Sequence, residues 1–449
     1  MPTKIDFIGG NTKRCLMTIA LPMIAAMFLN MMYNFVDSLW IGNLLGETAY
    51  AALTNSTPII LILTSVAMGA TNGVSILLSQ AIGAKDKKRT ESLIVTSFCV
   101  AVVFSVLVTV ILELFLPSIL NALNTPTETY DMAYSYLSIY VLGYLAIYLY
   151  CYFAAVLRSF GNSMFQAIAM LTTTILNAVL DPIFIHFIGF NGAAVATLLS
   201  ETICLLFMLV YLKKKKLFAF KISGFDKSDI LSLVQKAVPS VIQQSIPAIS
   251  TTFLTALVST YSITAIAAYG VAGKLEIIVF YPAMALNMVL TTIIGQCVGG
   301  KRYDRAKDYL KYALGYGCGL LVILSVLVIG FARQLSGLFV KSSDVAAIVG
   351  TYFLIVSVGY ILNTVTNCYL GLLNGIGKPS KSMFLMIFYY IVVRMPLAYL
   401  LSYLGFGLNG IWSAVLVSHI VASVATVITG TVLVKRNEAV SANDKSQSG

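Results

Sequence analysis

Two aspartates and an asparagine are the residues of this 449-residue chain best suited to chemistry. Asp37 and Asp181 each stand well inside a run of apolar residues, and Asn177 precedes Asp181 by four positions, so on a helix the amide and the carboxylate share one face. Two carboxylates and an amide at one depth make a set of hard oxygens that can exchange a proton or coordinate sodium. Burial disfavours an ionised carboxylate, and a second carboxylate nearby disfavours it further, which suits such a pair to holding one proton between them. The plainer reading of Asp37 is an interfacial residue beside Trp40 that meets water.

Other side chains surround these three as candidates. Thr197 and Glu201 lie in the stretch AVATLLSE; Thr197 either faces a cavity or packs between helices, and Glu201 either joins the cavity or pairs with a neighbouring helix. Tyrosines recur at 136, 140, 144, 148 and 152, a slowly rotating stripe. Tyr140 and Tyr144 could line a cavity, since aromatic faces attract organic cations, while packing and interfacial anchoring are the ordinary uses of such residues. Pro22 lacks a backbone donor and should bend its helix. Lys274 and Glu276 read as an interfacial pair at an outer helix end, Arg394 as a mid-helix residue bonded within its bundle, and the single His186 and His419 as packing or interfacial residues. There is no phosphate-binding glycine loop, nucleophile elbow or HExxH, hence no ATPase or protease signature and no reason to assign a cofactor or a metal centre beyond a coupling ion.

The elements that must position these residues are membrane helices. The chain is 59% hydrophobic and 10% charged with a mean hydropathy of +0.89, against roughly 25% charge in soluble domains. Runs of about 20 apolar residues are long enough to cross a hydrocarbon core as helices, and their unbroken apolarity excludes the alternation of barrel strands. Twelve spans are expected, at about 15–41, 50–79, 92–116, 131–156, 163–187, 192–212, 231–259, 276–298, 312–332, 345–371, 382–404 and 408–434. The first is too long for a signal peptide and lacks a clear cleavage site. An ionisable side chain at the centre of such a helix costs roughly 2.5–3.5 kcal/mol, so each one is a functional candidate. Seven scattered cysteines without a CxxC pair read as packing residues.

The net charge of +11 is a topology signal rather than a nucleic-acid footprint. Lys85, Lys87, Lys88, Arg89, Lys213 to Lys216, Lys221, Lys301, Arg302, Arg305, Lys307, Lys378, Lys381, Lys435 and Arg436 fall on one side; the other carries little beyond Lys274, Arg333 and Lys341. The positive-inside rule then puts both termini in the cytoplasm.

An internal repeat divides the chain. At a shift of 216, Ala49, Ala51, Ala52 and Met68 fall on Ala265, Ala267, Ala268 and Met284, the pattern Gln80, Gly83, Lys85, Arg89 falls on Gln296, Gly299, Lys301, Arg305, and Leu157 and Gly161 fall on Leu373 and Gly377. Pro22 matches Pro239 at a shift one larger, and Asn191-Gly192 matches Asn409-Gly410 at a shift two larger. Six helices per half make a parallel repeat about the membrane normal, a plan of transporters with a site between two bundles. The expected organisation is an N-terminal lobe (1–212), a linker (213–230), a C-terminal lobe (231–434) and a tail (435–449). The positions matching Asp37 (Phe253 or Leu254) and Asp181 (Leu397 to Tyr399) carry no acid, which confines the expected coupling chemistry to the N-terminal half.

The pieces PMIAAMFLNMMYNFVDSLWIG, SQAIGAKD, AVLRSFGNS, LNAVLDPIFI and GFNGAAVATLLSE resemble, in order and in the right helices, the multidrug and toxic compound extrusion (MATE) family. The resemblance implies a V-shaped molecule of two six-helix lobes that exports organic, often cationic compounds in exchange for protons or sodium. It is closer to the DinF- and MepA-like branch with carboxylates in helices one and five, in which a bend at the proline of helix one is implicated in coupling. The other large branch has a glutamate in helix seven, where this chain reads PSVIQQSIPAIS, with Gln243 and Gln244 and no acid. The coupling set is then Asp37, Asp181 and Asn177, with protons favoured over sodium. The expected protein is a monomeric transporter of the bacterial plasma membrane with small organic substrates and no nucleic-acid partner. A lipid-linked saccharide flippase would more typically have fourteen helices and a strongly cationic cavity, and a membrane-embedded transferase would need paired acids at the cytoplasmic boundary.

Overall fold

A computed structural model describes residues 5–123, 125–215 and 224–447. Lys216, Lys221 and Ser223 of the expected linker lie outside the described residues. Among those described there is no strand, and the helices are α1 (Thr12–Leu45), α2 (Glu47–Gly83), α3 (Lys87–Ala122), α4 (Thr127–Leu142), α5 (Tyr144–Ser159), α6 (Ser163–Ile188), α7 (Asn191–Lys215), α8 (Lys227–Ser259), α9 (Ile263–Gly299), α10 (Tyr303–Gly337), α11 (Ser343–Gly375), α12 (Pro379–Ile387), α13 (Met395–Leu401) and α14 (Gly407–Gln447). Two π-helical segments, Phe388–Arg394 and Ser402–Phe406, join α12 to α13 and α13 to α14.

Among the described residues ten stretches are long and apolar enough to cross a membrane, and the α4–α5 pair, bent by 48°, makes an eleventh. The last of the ten, Pro379–Asn437, is one run of 59 residues, too long for a single crossing. It is divided by Gly405 (φ 87°) and Gly407 (φ 60°). Gly189 turns the chain between α6 and α7 with φ 62°, ψ −144°, and Gly407, 218 residues later, adopts φ 60°, ψ −148°. The same turn at the same place in each half gives twelve spans, as six plus six.

The repeat is written in the backbone. Lys85 and Lys301 share a left-handed conformation (φ 58° and 55°) and so do Gly161 and Gly377 (φ 83° and 86°). The growth of the shift from 216 to 218 has a local cause. Between these turns, Pro379–Phe406 is two residues longer than α6. A π turn accommodates one extra residue without breaking a helix, and the two π segments account for the two residues.

Two spans depart from the sequence expectation. The fourth, expected as one span over 131–156, is two helices bent by 48° at Gly143, where a Cβ would stand 2.3 Å from Leu198 Cδ1 of α7. The eighth begins at Ile263, not 276. Ser262 caps it by accepting from the Ala265 amide at 3.0 Å, so Lys274 and Glu276 lie within the helix rather than at its end.

The chain forms two compact units: residues 25–78 with 86–241, and residues 1–24, 79–85 and 242–449. Both changes of unit near the start of a half fall two residues after the matched prolines, Pro22 and Pro239. α1 is continuous through Pro22. In the second unit the repeated Gln80–Gly83 and Gln296–Gly299 pairs pack reciprocally: a Cβ on Gly83 would stand 2.0 Å from the Gln296 carbonyl oxygen, and one on Gly299 would stand 2.0 Å from that of Gln80. The polar pattern seen in the sequence is therefore a close backbone crossing, fixed further by Gln80 donating to the Gly375 carbonyl at 2.8 Å.

Candidate functional site

The first unit, 25–78 with 86–241, holds the carboxylates. Asp37 on α1 is 9% exposed, and Asn177 and Asp181 on α6 are fully buried. One helical turn aligns the last two, and Asn177 Nδ2 donates to Asp181 Oδ1 at 2.9 Å. The Asp37 and Asp181 carboxyls are electrostatic neighbours. Tyr136 on α4 faces both, and Tyr33 on α1 and Tyr140 on α4 face Asp37 and also Glu201 on α7. Thr197, one turn before Glu201, faces Tyr33.

Four oxygens of this cluster are buried with no hydrogen-bond partner: Asp37 Oδ1, Asn177 Oδ1, Asp181 Oδ2 and Glu201 Oε2. Unsatisfied buried acceptors are costly, and the cost disappears when a proton or cation joins them. Asp37, Asn177 and Asp181 offer two carboxylates and an amide carbonyl, the donor type that a hard monovalent cation or a shared proton requires. Among the described residues no three His, Cys, Asp or Glu side chains approach closely enough to hold a metal ion together, so Glu201 is a separate acid beyond the pair.

The remaining candidates take other places. Tyr144 is buried on α5, past the Gly143 bend, and donates to the Leu63 carbonyl at 3.1 Å. Tyr148 and Tyr152 pack in an aromatic row with Phe104, Phe98 and Phe153. Two open clefts of about 470 and 340 Å³ in this unit are lined by Gly42, Tyr50 and Asn55 and by Asp131, Ser135 and Phe190; neither includes a carboxylate of the pair.

Sequence reasoning missed the role of Glu276. It is half-buried in α9, where Tyr352 and Tyr360 of α11 both donate to its Oε1, the latter at 2.9 Å. Tyr352 and Tyr360 are the repeat counterparts of Tyr136 and Tyr144 at the shift of 216, a signal that the amino-acid sequence itself contains. Glu276 was concealed by its own counterpart, the apolar Ile60, and by a misplaced helix start.

Known proteins match the chain along both of its halves. The MatE family model matches residues 22–183 and again 239–400, one copy for each half. The chain is 27% identical over 408 residues to the probable multidrug resistance protein YpnP of Bacillus subtilis (strain 168), covering 88% of this chain and 90% of that one. It is 24% identical over 435 residues to the FAD transporter of Shewanella oneidensis, covering 95% and 96%. In fold it resembles the crystal structure of MATE in complex with MaL6, with a TM-score of 0.93 at 23% identity over 98% of this chain and 100% of that one.

Proposed function

The chain belongs to the MatE family, and from that premise we propose that it is a secondary active antiporter exporting amphipathic, often cationic organic compounds by alternating access, driven by protons entering at Asp37 and Asp181. The observation that carries this reading is the Asn177–Asp181 hydrogen bond beside Asp37, which leaves three acceptor oxygens buried and unpartnered. A proton or sodium ion satisfies those oxygens; a substrate cation competes for the same negative charge, so the two bind in alternation rather than together. Protons are favoured because two adjacent buried carboxylates hold one proton readily. Tyr33, Tyr136 and Tyr140 stand near the acids, and aromatic residues attract organic cations. Both termini lie in the cytoplasm of a bacterial cell, by the basic loops.

Efflux of ethidium from proteoliposomes under separately imposed proton and sodium gradients tests this. Export driven by the pH gradient alone is expected. Export that follows only the sodium gradient replaces the proton by sodium at the same residues, and export under neither removes the antiport reading.

A further inference from the structure

The second unit contains a buried polar cluster that plays no part in the function proposed above. Glu276 of α9 accepts from Tyr352 and Tyr360 of α11. Within electrostatic reach of it lies Arg394, 6% exposed at the end of the first π segment. The guanidinium donates through Nε to Ser418 Oγ at 2.9 Å and through one terminal nitrogen to Tyr389 Oη at 2.5 Å, and meets His419 Nε2 at 3.2 Å. Because a guanidinium only donates, His419 Nε2 accepts, and Nδ1 carries the hydrogen shared with Tyr389 Oη at 3.0 Å. His419 is thus neutral here. The π turn itself makes the bond between residues five apart, Tyr389 and Arg394, since its i to i+5 period brings them onto one face.

The register of the repeat gives this cluster its meaning. From the end of the first π segment the shift is 217, and Arg394 and Ala398 occupy the positions of Asn177 and Asp181. Past the second it is 218, and His419 occupies the position of Glu201. Tyr352 and Tyr360 stand for Tyr136 and Tyr144. The C-terminal half has therefore kept Tyr136 and Tyr144 as Tyr352 and Tyr360, replaced Asn177 by Arg394, Asp181 by Ala398 and Glu201 by His419, and acquired one acid of its own at Glu276, where the N-terminal half has Ile60.

We propose that Glu276, held by Tyr352 and Tyr360 opposite Arg394, is a second proton-binding site, particular to the C-terminal half. The groups that face it are Tyr352 and Tyr360 from α11, Tyr269 from its own helix and Arg394 beyond them, with Tyr389, Tyr390 and His419 packed around the guanidinium. Two influences oppose each other there: an apolar aromatic surround disfavours the charged carboxylate, whereas two hydroxyl donors and a nearby guanidinium favour it. In the step itself Glu276 takes one proton to become a neutral acid. The proton goes to Oε2, Oε1 keeps both tyrosine hydrogen bonds, and Arg394 is left without its counter-charge. A buried unpaired guanidinium is costly, so the proton on Glu276 changes what α9, α11 and α14 hold in common.

Infrared titration of the full-length protein in detergent tests this without needing a substrate. A protonated carboxyl stretch is expected that grows and fades reversibly with pH, is absent from Glu276→Gln, and persists in the Asp37→Asn/Asp181→Asn variant. Tyr352→Phe, which keeps the carboxyl and removes one donor, is expected to displace the frequency of that band, and it serves should Glu276→Gln fail to fold. A wild-type spectrum from which no pH-dependent carboxyl band is lost on substituting Glu276 overturns the proposal. So does a Glu276 band that stays fixed across pH. Loss of the band in the Asp37→Asn/Asp181→Asn variant assigns it to the N-terminal pair instead, so the two sites succeed or fail separately.

Discussion

Asn177 donates to Asp181 across one turn of α6, 2.9 Å away, and in doing so leaves its own carbonyl oxygen and one carboxylate oxygen buried beside Asp37 without a partner for either. That hydrogen bond satisfies one end of each side chain and leaves the other as an acceptor, which is the basis of the proposed coupling site.

Replacing Asp181 by Asn removes the titratable charge and keeps the shape. Ethidium efflux from proteoliposomes driven by a pH gradient should fall to background in Asp181→Asn and in Asp37→Asn, with expression retained. The double variant should be little worse than either single one, because residues that act as a unit are not additive. The apparent Tm should not fall, since a neutral amide is cheaper to bury than a carboxylate. Wild-type efflux from Asp181→Asn would refute the site.

Proton coupling has a signature that needs no membrane. Adding ethidium to the detergent-solubilised protein in weakly buffered, sodium-free solution should acidify the medium, as a bound proton leaves the pair. Asp37→Asn/Asp181→Asn should release none. A sodium requirement at every pH, with no acidification, reverses the choice of ion.

Topology can be read with single cysteines placed in a background lacking the seven native ones. Thr127→Cys, at the start of α4, should react with an impermeant maleimide on intact cells, and Ser223→Cys only after lysis. Equal labelling of both from outside is incompatible with twelve spans and both ends inside.

The crossing of α2 and α9 predicts a structural cost. Gly299→Ala places a methyl group 2.0 Å from the Gln80 carbonyl oxygen, and Gly83→Ala places one 2.0 Å from that of Gln296, so backbone must move. Each should lower the apparent Tm, by an amount in keeping with roughly 1–3 kcal/mol for overpacking. The control Gly315→Ala, which meets open space, should not. Unfolding followed by intrinsic fluorescence distinguishes them.

The sequence carried the helical class, the twelve spans and the repeat because lipid imposes a length and an apolarity on every span, whatever its tertiary partners. It was less informative wherever a helix faces protein instead of lipid. The segment from Ile263 to Glu276 contains two glycines, a lysine and a glutamate, and so falls below the apolarity of a lipid-facing run, yet it is helical because Ser262 caps it and α11 covers it. Asp37, Asn177 and Asp181 were visible as rare polar residues in apolar runs. The partners of Glu276 were not, because Tyr352 and Tyr360 are 76 and 84 residues away in the chain, and only the repeat register, followed through both π segments, connects this cluster to its counterparts in the N-terminal half.

An extra residue in an α-helix rotates everything beyond it by about 100°, turning inward-facing side chains outward. The two wide turns flanking α13 each absorb one such insertion, so the face presented by Ala398 and by the helix that follows was never displaced. If the halves descend from one duplicated gene, the C-terminal copy could lengthen by two codons and exchange an amide for Arg394 while its fold went on working. The π segments are, in that sense, a scar: they mark where one half has taken up length that the other does not have.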